Sequence, residues 1–144
     1  MTERKVHVFF YGLFMDMDLL LQRGLAPSNP QVAYLDGYDI EIRDRATLIR
    51  NAAERVYGML AGLTHEEIDT LYTEPSVRDY RPEAVVVTLE DARQVPALCY
   101  NLPQPADARR NTAYAVRLLE VAKTLAFPGE YLDKLRRLAQ GASV

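Results

Sequence analysis

The chain has 144 residues, a length typical of one domain, and a net charge of −3 from 17 basic and 20 acidic side chains. An acidic balance argues against a general nucleic-acid-binding protein, which needs a basic face. The hydrophobic fraction of 49% and the charged fraction of 26% are typical of a globular domain rather than a disordered chain. We therefore expect a single domain over residues 1–144, with no nucleic-acid partner.

The inventory of reactive side chains narrows the chemistry further. A single cysteine, Cys99, excludes an internal disulfide, and two histidines argue against a His-rich zinc site. The sequence contains no G-x-S-x-G nucleophile motif and no glycine-rich phosphate loop. No stretch approaches the ~20 apolar residues that span a bilayer, and the apolar segment after Lys5 lacks a signal-peptide cleavage site. These features predict a cytoplasmic protein without metal, cofactor or membrane partner.

Short apolar runs separated by turn residues make up the first part of the chain. Val6 to Tyr11 is β-branched and aromatic and ends at Gly12, which predicts a buried strand. Asp16 to Arg23 predicts a short helix with an aspartate as its N-cap. The proline-containing segment 26–30 predicts a loop. Further strands are expected in residues 32–43, 46–50 and 55–63.

A capping box opens the next element, at Thr64-His65-Glu66-Glu67, and predicts a helix that Pro75 must end. Two strands are expected in residues 80–89 and 95–102. A helix beginning near Asp107 or Asn111 follows, and a last helix comes after Pro128-Gly129. This order predicts an α+β fold, namely a curled mixed sheet or small mixed β-barrel with flanking helices.

Two segments carry the candidate chemistry. The first is the strand exit Tyr11-Gly12-Leu13-Phe14, where a glycine lets backbone N–H groups approach a carboxylate or a developing oxyanion. The second is Glu74, a carboxylate at a helix exit between Thr73 and Pro75. If Glu74 faces a largely apolar pocket, its pKa rises, and the carboxyl group can both accept and donate a proton near neutral pH.

The order of these segments resembles the γ-glutamylcyclotransferase-like superfamily, which includes the AIG2-like and γ-glutamylamine cyclotransferase branches. The resemblance rests on several short motifs in the family's order and covers nearly the whole chain. They are Tyr11-Gly12 after the first strand, Val56-Tyr57-Gly58, Glu74 after a short helix, Tyr80-Arg81-Pro82, Tyr100 at a strand end, the helical Tyr114, and Phe127-Pro128-Gly129-Glu130-Tyr131.

This resemblance implies a pocket at one mouth of a small barrel. The Tyr11–Phe14 loop would hold a γ-glutamyl group through backbone N–H groups, with Tyr80, Tyr100 and Tyr114 also in the substrate site. Glu74 would be the general acid/base. The substrate's α-amine would attack its own γ-carbonyl and release 5-oxoproline together with an amine or an amino acid. The expected partner is thus a small γ-glutamyl compound, and no metal or cofactor is required.

The sequence also departs from the family pattern and leaves alternatives open. Leu13 replaces a small polar residue, Phe14 adds bulk, and Pro75 stands where many members have glycine. A second interpretation is therefore a non-catalytic small-ligand-binding or protein-interaction domain on the same fold, and a third is a Cys99 thiol function. Four arginines are unranked candidates for binding a substrate carboxylate: Arg43, Arg45, Arg78 and Arg81.

Overall fold

Five strands curl into a closed barrel in the computed structural model, which describes residues 4–75, 77–103 and 111–140. The strands are β1 (Lys5–Phe10), β2 (Ser28–Ile42), β3 (Ala46–Thr64), β4 (Arg81–Leu89) and β5 (Gln94–Asn101). Their order around the barrel is β1, β3, β2, β4, β5. The β1–β5 pair is parallel, at Val8 and Leu98, whereas the other neighbouring strands are antiparallel. The predicted α+β fold with a small mixed barrel is therefore confirmed.

Helices flank this barrel, and most of them begin at the predicted caps. In the described part of the chain they are α1 (Met17–Gln22), α2 (His65–Tyr72), α3 (Thr112–Thr124) and α4 (Gly129–Ala139), with a short 3₁₀ turn at Leu13–Met15. The capping box of α2 forms, because the Glu67 N–H donates to Thr64 Oγ1 at 3.1 Å and the Thr64 N–H donates to the Glu67 carboxylate at 2.9 Å. None of these helices is long and apolar enough to cross a membrane.

Helix α3 follows one of its two predicted starts. The Asn111 side chain caps the helix by accepting a hydrogen bond from the Tyr114 N–H at 3.0 Å. The alternative start at Asp107 lies outside the described residues. The Asn111 side chain also donates to the Asp44 carbonyl, at 3.1 Å, and its N–H donates to the Arg43 carbonyl at 2.8 Å. These bonds fix the start of α3 against the turn between β2 and β3.

Two stretches of the β2–β3 hairpin differ from the sequence prediction. Segment 26–30 is not wholly a loop, because β2 already begins at Ser28, which pairs with Gly62. An irregularity between Ser28 and Gln31 accommodates Pro30, which cannot donate to a regular ladder. The two strands predicted in 46–50 and 55–63 are one continuous strand, β3. Residues 51–54, which join the two predicted strands, lie within β3, and the register of the β2–β3 pair shifts opposite them, between Asp36 and Tyr38.

The hydrophobic core fills the barrel and continues beneath the helices. The side chains of Val8, Phe9 and Leu63 from β1 and β3 are at most 1% exposed. Leu118 of α3 and Leu135 of α4 are buried to the same degree. Burial of this kind contributes about 1.5–3 kcal/mol for each large side chain. The end of β1 is consequently a rigid platform for the loop that follows it.

Candidate active site

A cavity of about 330 Å³ lies where β1 ends and the chain turns towards α1. Its volume is at the lower end of the range that small-molecule sites occupy. All seven residues that the sequence predicts for substrate binding line this cavity: Tyr11, Gly12, Leu13, Phe14, Tyr80, Tyr100 and Tyr114. The fold thus brings together residues from β1, β5, α3 and the connections around them, as the family resemblance implies.

The loop after β1 is held by hydrogen bonds from its own residues. The Tyr11 hydroxyl donates to the Tyr100 carbonyl at 2.6 Å and lies 2.9 Å from Asn101 Oδ1. The Leu13 N–H donates to the Tyr114 hydroxyl oxygen at 3.2 Å. A Cβ atom at Gly12 would lie only 2.6 Å from the same hydroxyl, so a larger residue there would displace the Tyr114 hydroxyl from the loop. The Leu13 amide already has a partner, which a bound ligand oxygen would have to replace or share.

Neutral phenols form one wall of the cavity. Tyr72 and Tyr100 stack with ring centroids 3.8 Å apart and planes 13° from parallel, and the Tyr80 hydroxyl donates to the Ala46 carbonyl at 2.5 Å. Burial raises the pKa of Tyr11, Tyr72 and Tyr80 far above the ordinary tyrosine value. These hydroxyls therefore stay protonated near neutral pH and do not act as bases there.

Arginines supply the charge of the cavity. Arg23, Arg45 and Arg117 line it, and no carboxylate side chain of the described residues does. Arg45 and Arg117 both lie close enough to Tyr114 to act on its hydroxyl electrostatically, and they lower its pKa against the larger raising effect of burial. The described wall is thus cationic and favours an anionic ligand.

Of the four arginines that were candidates for binding a substrate carboxylate, Arg45 lines the cavity. Arg43 is buried and instead pairs with Glu41, with 2.5 Å between Nε and Oε1. Arg78 and Arg81 are exposed and do not line the cavity. The fold therefore places one of the four candidate arginines at the cavity and the other three elsewhere.

Sequence reasoning did not identify Arg23 or Arg117. Arg117 follows Tyr114 by three residues in α3, and the i,i+3 spacing places both on one helix face. That spacing is a signal that points to Arg117 once Tyr114 is a candidate. No comparable spacing points to Arg23, which lines the cavity and contacts Glu74 from 51 positions away in the chain.

Glu74 lies beside the cavity and does not line it. Its carboxylate pairs with the guanidinium of Arg23, through Nε to Oε2 and through Nη2 to Oε1 at 3.5 Å. Both side chains are 33% exposed. The largely apolar pocket that would raise the pKa of Glu74 is therefore not present around its carboxylate. A guanidinium lies against the carboxylate, and solvent reaches the pair. Arg23, which lines the cavity, connects Glu74 to its wall.

Cys99 occupies the barrel interior and does not line the cavity. Its side chain has no exposed surface, and Asn101 Nδ2 lies 3.6 Å from its Sγ. Burial, reinforced by the nearby Glu83, raises the thiol pKa to about 12. These surroundings are those of a structural cysteine rather than a reactive one.

Native Cys99 is expected to resist a thiol reagent at pH 8. With a pKa of about 12, only about one thiol in 10⁴ is ionised at that pH, and the side chain is enclosed. Absorbance after addition of a disulfide reagent should show little release from the native protein and one equivalent in denaturant. Rapid stoichiometric labelling of the folded protein would contradict this prediction and restore the thiol hypothesis.

A second cavity, of about 630 Å³, lies between the β2–β3 hairpin and α4. Acidic and basic side chains both line it, including Glu54 and Lys134, which form an ion pair. It contains none of the residues predicted for substrate binding or catalysis. Among the described residues, no group of three or more His, Cys, Asp or Glu side chains is placed to hold a metal ion.

The fold and the cavity together define a class of protein. Its members are closed five-stranded barrels in which a Tyr-Gly loop lines a pocket, with a glutamate beside the pocket at the end of a helix. The family model described as "Gamma-glutamyl cyclotransferase, AIG2-like" matches residues 8–117, which is more than half of the chain. The protein therefore belongs to the AIG2-like γ-glutamyl cyclotransferase family. No curated protein matches the chain significantly.

Solved structures share the fold at low sequence identity. A structure titled "Gamma-glutamyl cyclotransferase" has a TM-score of 0.78 at 18% identity, covering 92% of this chain and 87% of its own. An uncharacterized protein from Homo sapiens has a TM-score of 0.77 at 19% identity, covering 93% and 88%. YkqA from Bacillus subtilis has a TM-score of 0.77 at 22% identity and covers 96% of this chain, which matches 55% of YkqA. At these identities the likeness establishes the fold.

Proposed function

We propose that this protein is a γ-glutamyl cyclotransferase-type enzyme that releases 5-oxoproline and an amine or amino acid from a small γ-glutamyl compound. The observation that carries the proposal is that the Tyr11–Phe14 loop and Arg23 line one cavity, and that Arg23 pairs with Glu74 beside it. Membership of the family supports the same reaction class.

The reaction requires folding the substrate and moving two protons away from its α-nitrogen. Glu74 takes the first proton from the substrate's α-ammonium group, and the free amine attacks the γ-carbonyl carbon. The bond from that carbon to the leaving nitrogen then breaks as Glu74 returns this proton to the leaving nitrogen. The ring nitrogen gives up its second proton, which the released amine takes up to become an ammonium. Because both reacting groups belong to one molecule, good orientation alone can lower the barrier by roughly 7–11 kcal/mol. General acid/base catalysis typically adds about 10²–10⁴ in rate.

The loop and Tyr114 together offer donors for the developing oxyanion. The Leu13 N–H points at the Tyr114 hydroxyl oxygen in the unliganded arrangement. A γ-carbonyl oxygen bound at this place would accept from the Leu13 N–H and from the Tyr114 O–H, which burial keeps protonated. The stacked rings of Tyr72 and Tyr100 would flank the folded γ-glutamyl chain.

The test is release of 5-oxoproline from a panel of γ-glutamyl amino acids, γ-glutamyl amines and γ-glutamyl peptides. Chromatography and mass spectrometry follow both products, and boiled protein measures spontaneous cyclisation. We expect turnover of at least one class, with 5-oxoproline and the free amine formed in equal amounts. Rates equal to those of boiled protein throughout the panel would overturn the proposal.

A non-catalytic ligand-binding domain is the second candidate. It is favoured because both proposed catalytic groups already have partners within the protein. The Glu74 carboxylate pairs with Arg23, and the Leu13 N–H donates to the Tyr114 hydroxyl. On this alternative, isothermal titration calorimetry with intact γ-glutamyl compounds gives binding, and the same compounds are recovered unchanged after long incubation.

A further inference from the structure

Arg23 has three contacts that hold its guanidinium at the rim of the cavity. Nη1 donates to the Leu19 carbonyl at 3.0 Å, within the same turn of α1. The guanidinium carbon lies 5.1 Å from the centre of the Phe14 ring, in a cation–π contact. Nε and Nη2 face the Glu74 carboxylate. Arg23 is thereby fixed between a residue of the loop after β1 and the proposed acid/base.

The pair between Arg23 and Glu74 is suited to exchange. Both side chains are one-third exposed, and ion pairs with this much solvent contact hold their partners weakly. A guanidinium binds carboxylates through a planar fork of N–H donors, irrespective of whether the carboxylate belongs to a side chain or a ligand. Since Arg23 lines the cavity, a carboxylate that enters competes with Glu74 for the same fork.

We propose that Arg23 is the site's carboxylate-binding residue, and that the α-carboxylate of the substrate replaces Glu74 on its guanidinium. This inference rests on the proposed cyclotransferase function. In a γ-glutamyl compound the α-carboxylate and the α-ammonium are bonded to one carbon atom. A carboxylate on Arg23 therefore sets the ammonium beside Glu74, which has just lost its cationic partner. The exchange thus leaves the Glu74 carboxylate unpaired and next to the α-ammonium group that it must deprotonate.

Phe14 acquires a role in the same arrangement. The sequence departs from the family pattern here by adding bulk. The aromatic face supports the Arg23 guanidinium on the loop side, while the Leu19 carbonyl supports it on the helix side. With both supports in place, the guanidinium keeps its position when its carboxylate partner changes.

The first experiment uses binding, which does not depend on turnover. Calorimetry compares 5-oxoproline, which carries the carboxylate, with its neutral primary amide. In the wild-type protein we expect the acid to bind more tightly than the amide. Arg23→Gln should weaken binding of the acid about 10- to 100-fold and leave the amide nearly unchanged. Arg93→Gln is the charge-matched control, because Arg93 is exposed in the β4–β5 turn and does not line the cavity.

Glu74→Gln is expected to change the affinity for 5-oxoproline in the opposite direction from Arg23→Gln. Removing the competing carboxylate frees Arg23, so binding of 5-oxoproline should tighten by about two- to fivefold. A merely structural role for the pair would weaken binding in both variants. Thermal unfolding of each variant checks that the fold is retained, and Arg23→Lys, which keeps the charge but not the fork, should lie between Arg23→Gln and the wild type.

Arg45 and Arg117 are the competing candidates for the carboxylate-binding residue, because both line the cavity. If Arg45→Gln or Arg117→Gln abolishes the preference for the acid over the amide while Arg23→Gln keeps it, the assignment to Arg23 is overturned. Weaker binding of 5-oxoproline by Glu74→Gln also overturns it.

The substrate panel separates this inference from the function on which it rests. Turnover by the wild-type protein, with the acid preference retained in Arg23→Gln, refutes the role of Arg23 and leaves the cyclotransferase intact. Absence of turnover across the panel, with the acid preference of the wild type lost in Arg23→Gln, refutes the cyclotransferase and leaves Arg23 as the carboxylate-binding residue.

Discussion

Glu74→Gln is expected to lower the rate of 5-oxoproline release by about 10²–10⁴, the range that a general acid/base typically contributes. Glutamine keeps the size of the side chain but neither accepts the α-ammonium proton nor returns one to the leaving nitrogen. The residual rate would come from orientation within the cavity, which the substitution leaves in place. Turnover of the best substrate in the panel, at saturating concentration, measures the effect on kcat.

The fold should be unaffected by this change. The Arg23–Glu74 pair is one-third exposed on both sides, so its loss costs about 0.2–1 kcal/mol at most. Glu66→Gln is the matched control, since Glu66 is an exposed acid in the first turn of α2, the helix that ends two residues before Glu74. A Glu74→Gln protein that matches the wild type in kcat would remove the catalytic assignment. Glu66→Gln should keep the full rate, which shows that loss of an acid from α2 is not itself harmful.

Local sequence signals identified the frame of this site well. The glycine after a β-branched and aromatic run marked the end of β1, and the Thr64–Glu67 capping box marked the start of α2. Both depend on residues within four positions of each other, where backbone geometry is set by near neighbours. The tyrosines that line the cavity came from the order of family motifs rather than from any local signal.

Contacts between distant segments explain what the sequence did not reveal. The Arg23–Glu74 pair depends on how α1 sits against the end of α2, and this placement is a product of barrel closure. Tertiary contacts also bury Arg43, whose Nη1 donates to the Pro103 carbonyl at 3.3 Å, and leave Arg45 at the cavity. Four arginines of equal promise in sequence are thus distinguished by tertiary packing.

Gly58→Ala is expected to destabilise the protein by about 3 kcal/mol, the upper end of the 1–3 kcal/mol that an extra methyl group in a filled core typically costs. A Cβ at this position would lie 2.2 Å from the Phe10 carbonyl oxygen and 2.9 Å from the Phe9 ring. The first contact is with backbone, and the Phe9 ring is 1% exposed, so neither neighbour has free space to move into. Strand β1 would have to shift away from β3. Thermal unfolding should report a decrease in Tm of about 10 °C.

The same displacement reaches the cavity, because Phe10 is bonded directly to Tyr11 and the loop that follows. Gly58→Ala protein that remains folded at low temperature should therefore also bind 5-oxoproline more weakly than the wild type. Gly129→Ala is the control: a Cβ there meets nothing within 4 Å, and alanine in the first turn of α4 should leave Tm unchanged or raise it slightly. If Gly58→Ala unfolds at the wild-type temperature, β1 and β3 are packed less tightly than the contacts of Gly58 indicate, and the end of β1 is not a rigid platform for the loop.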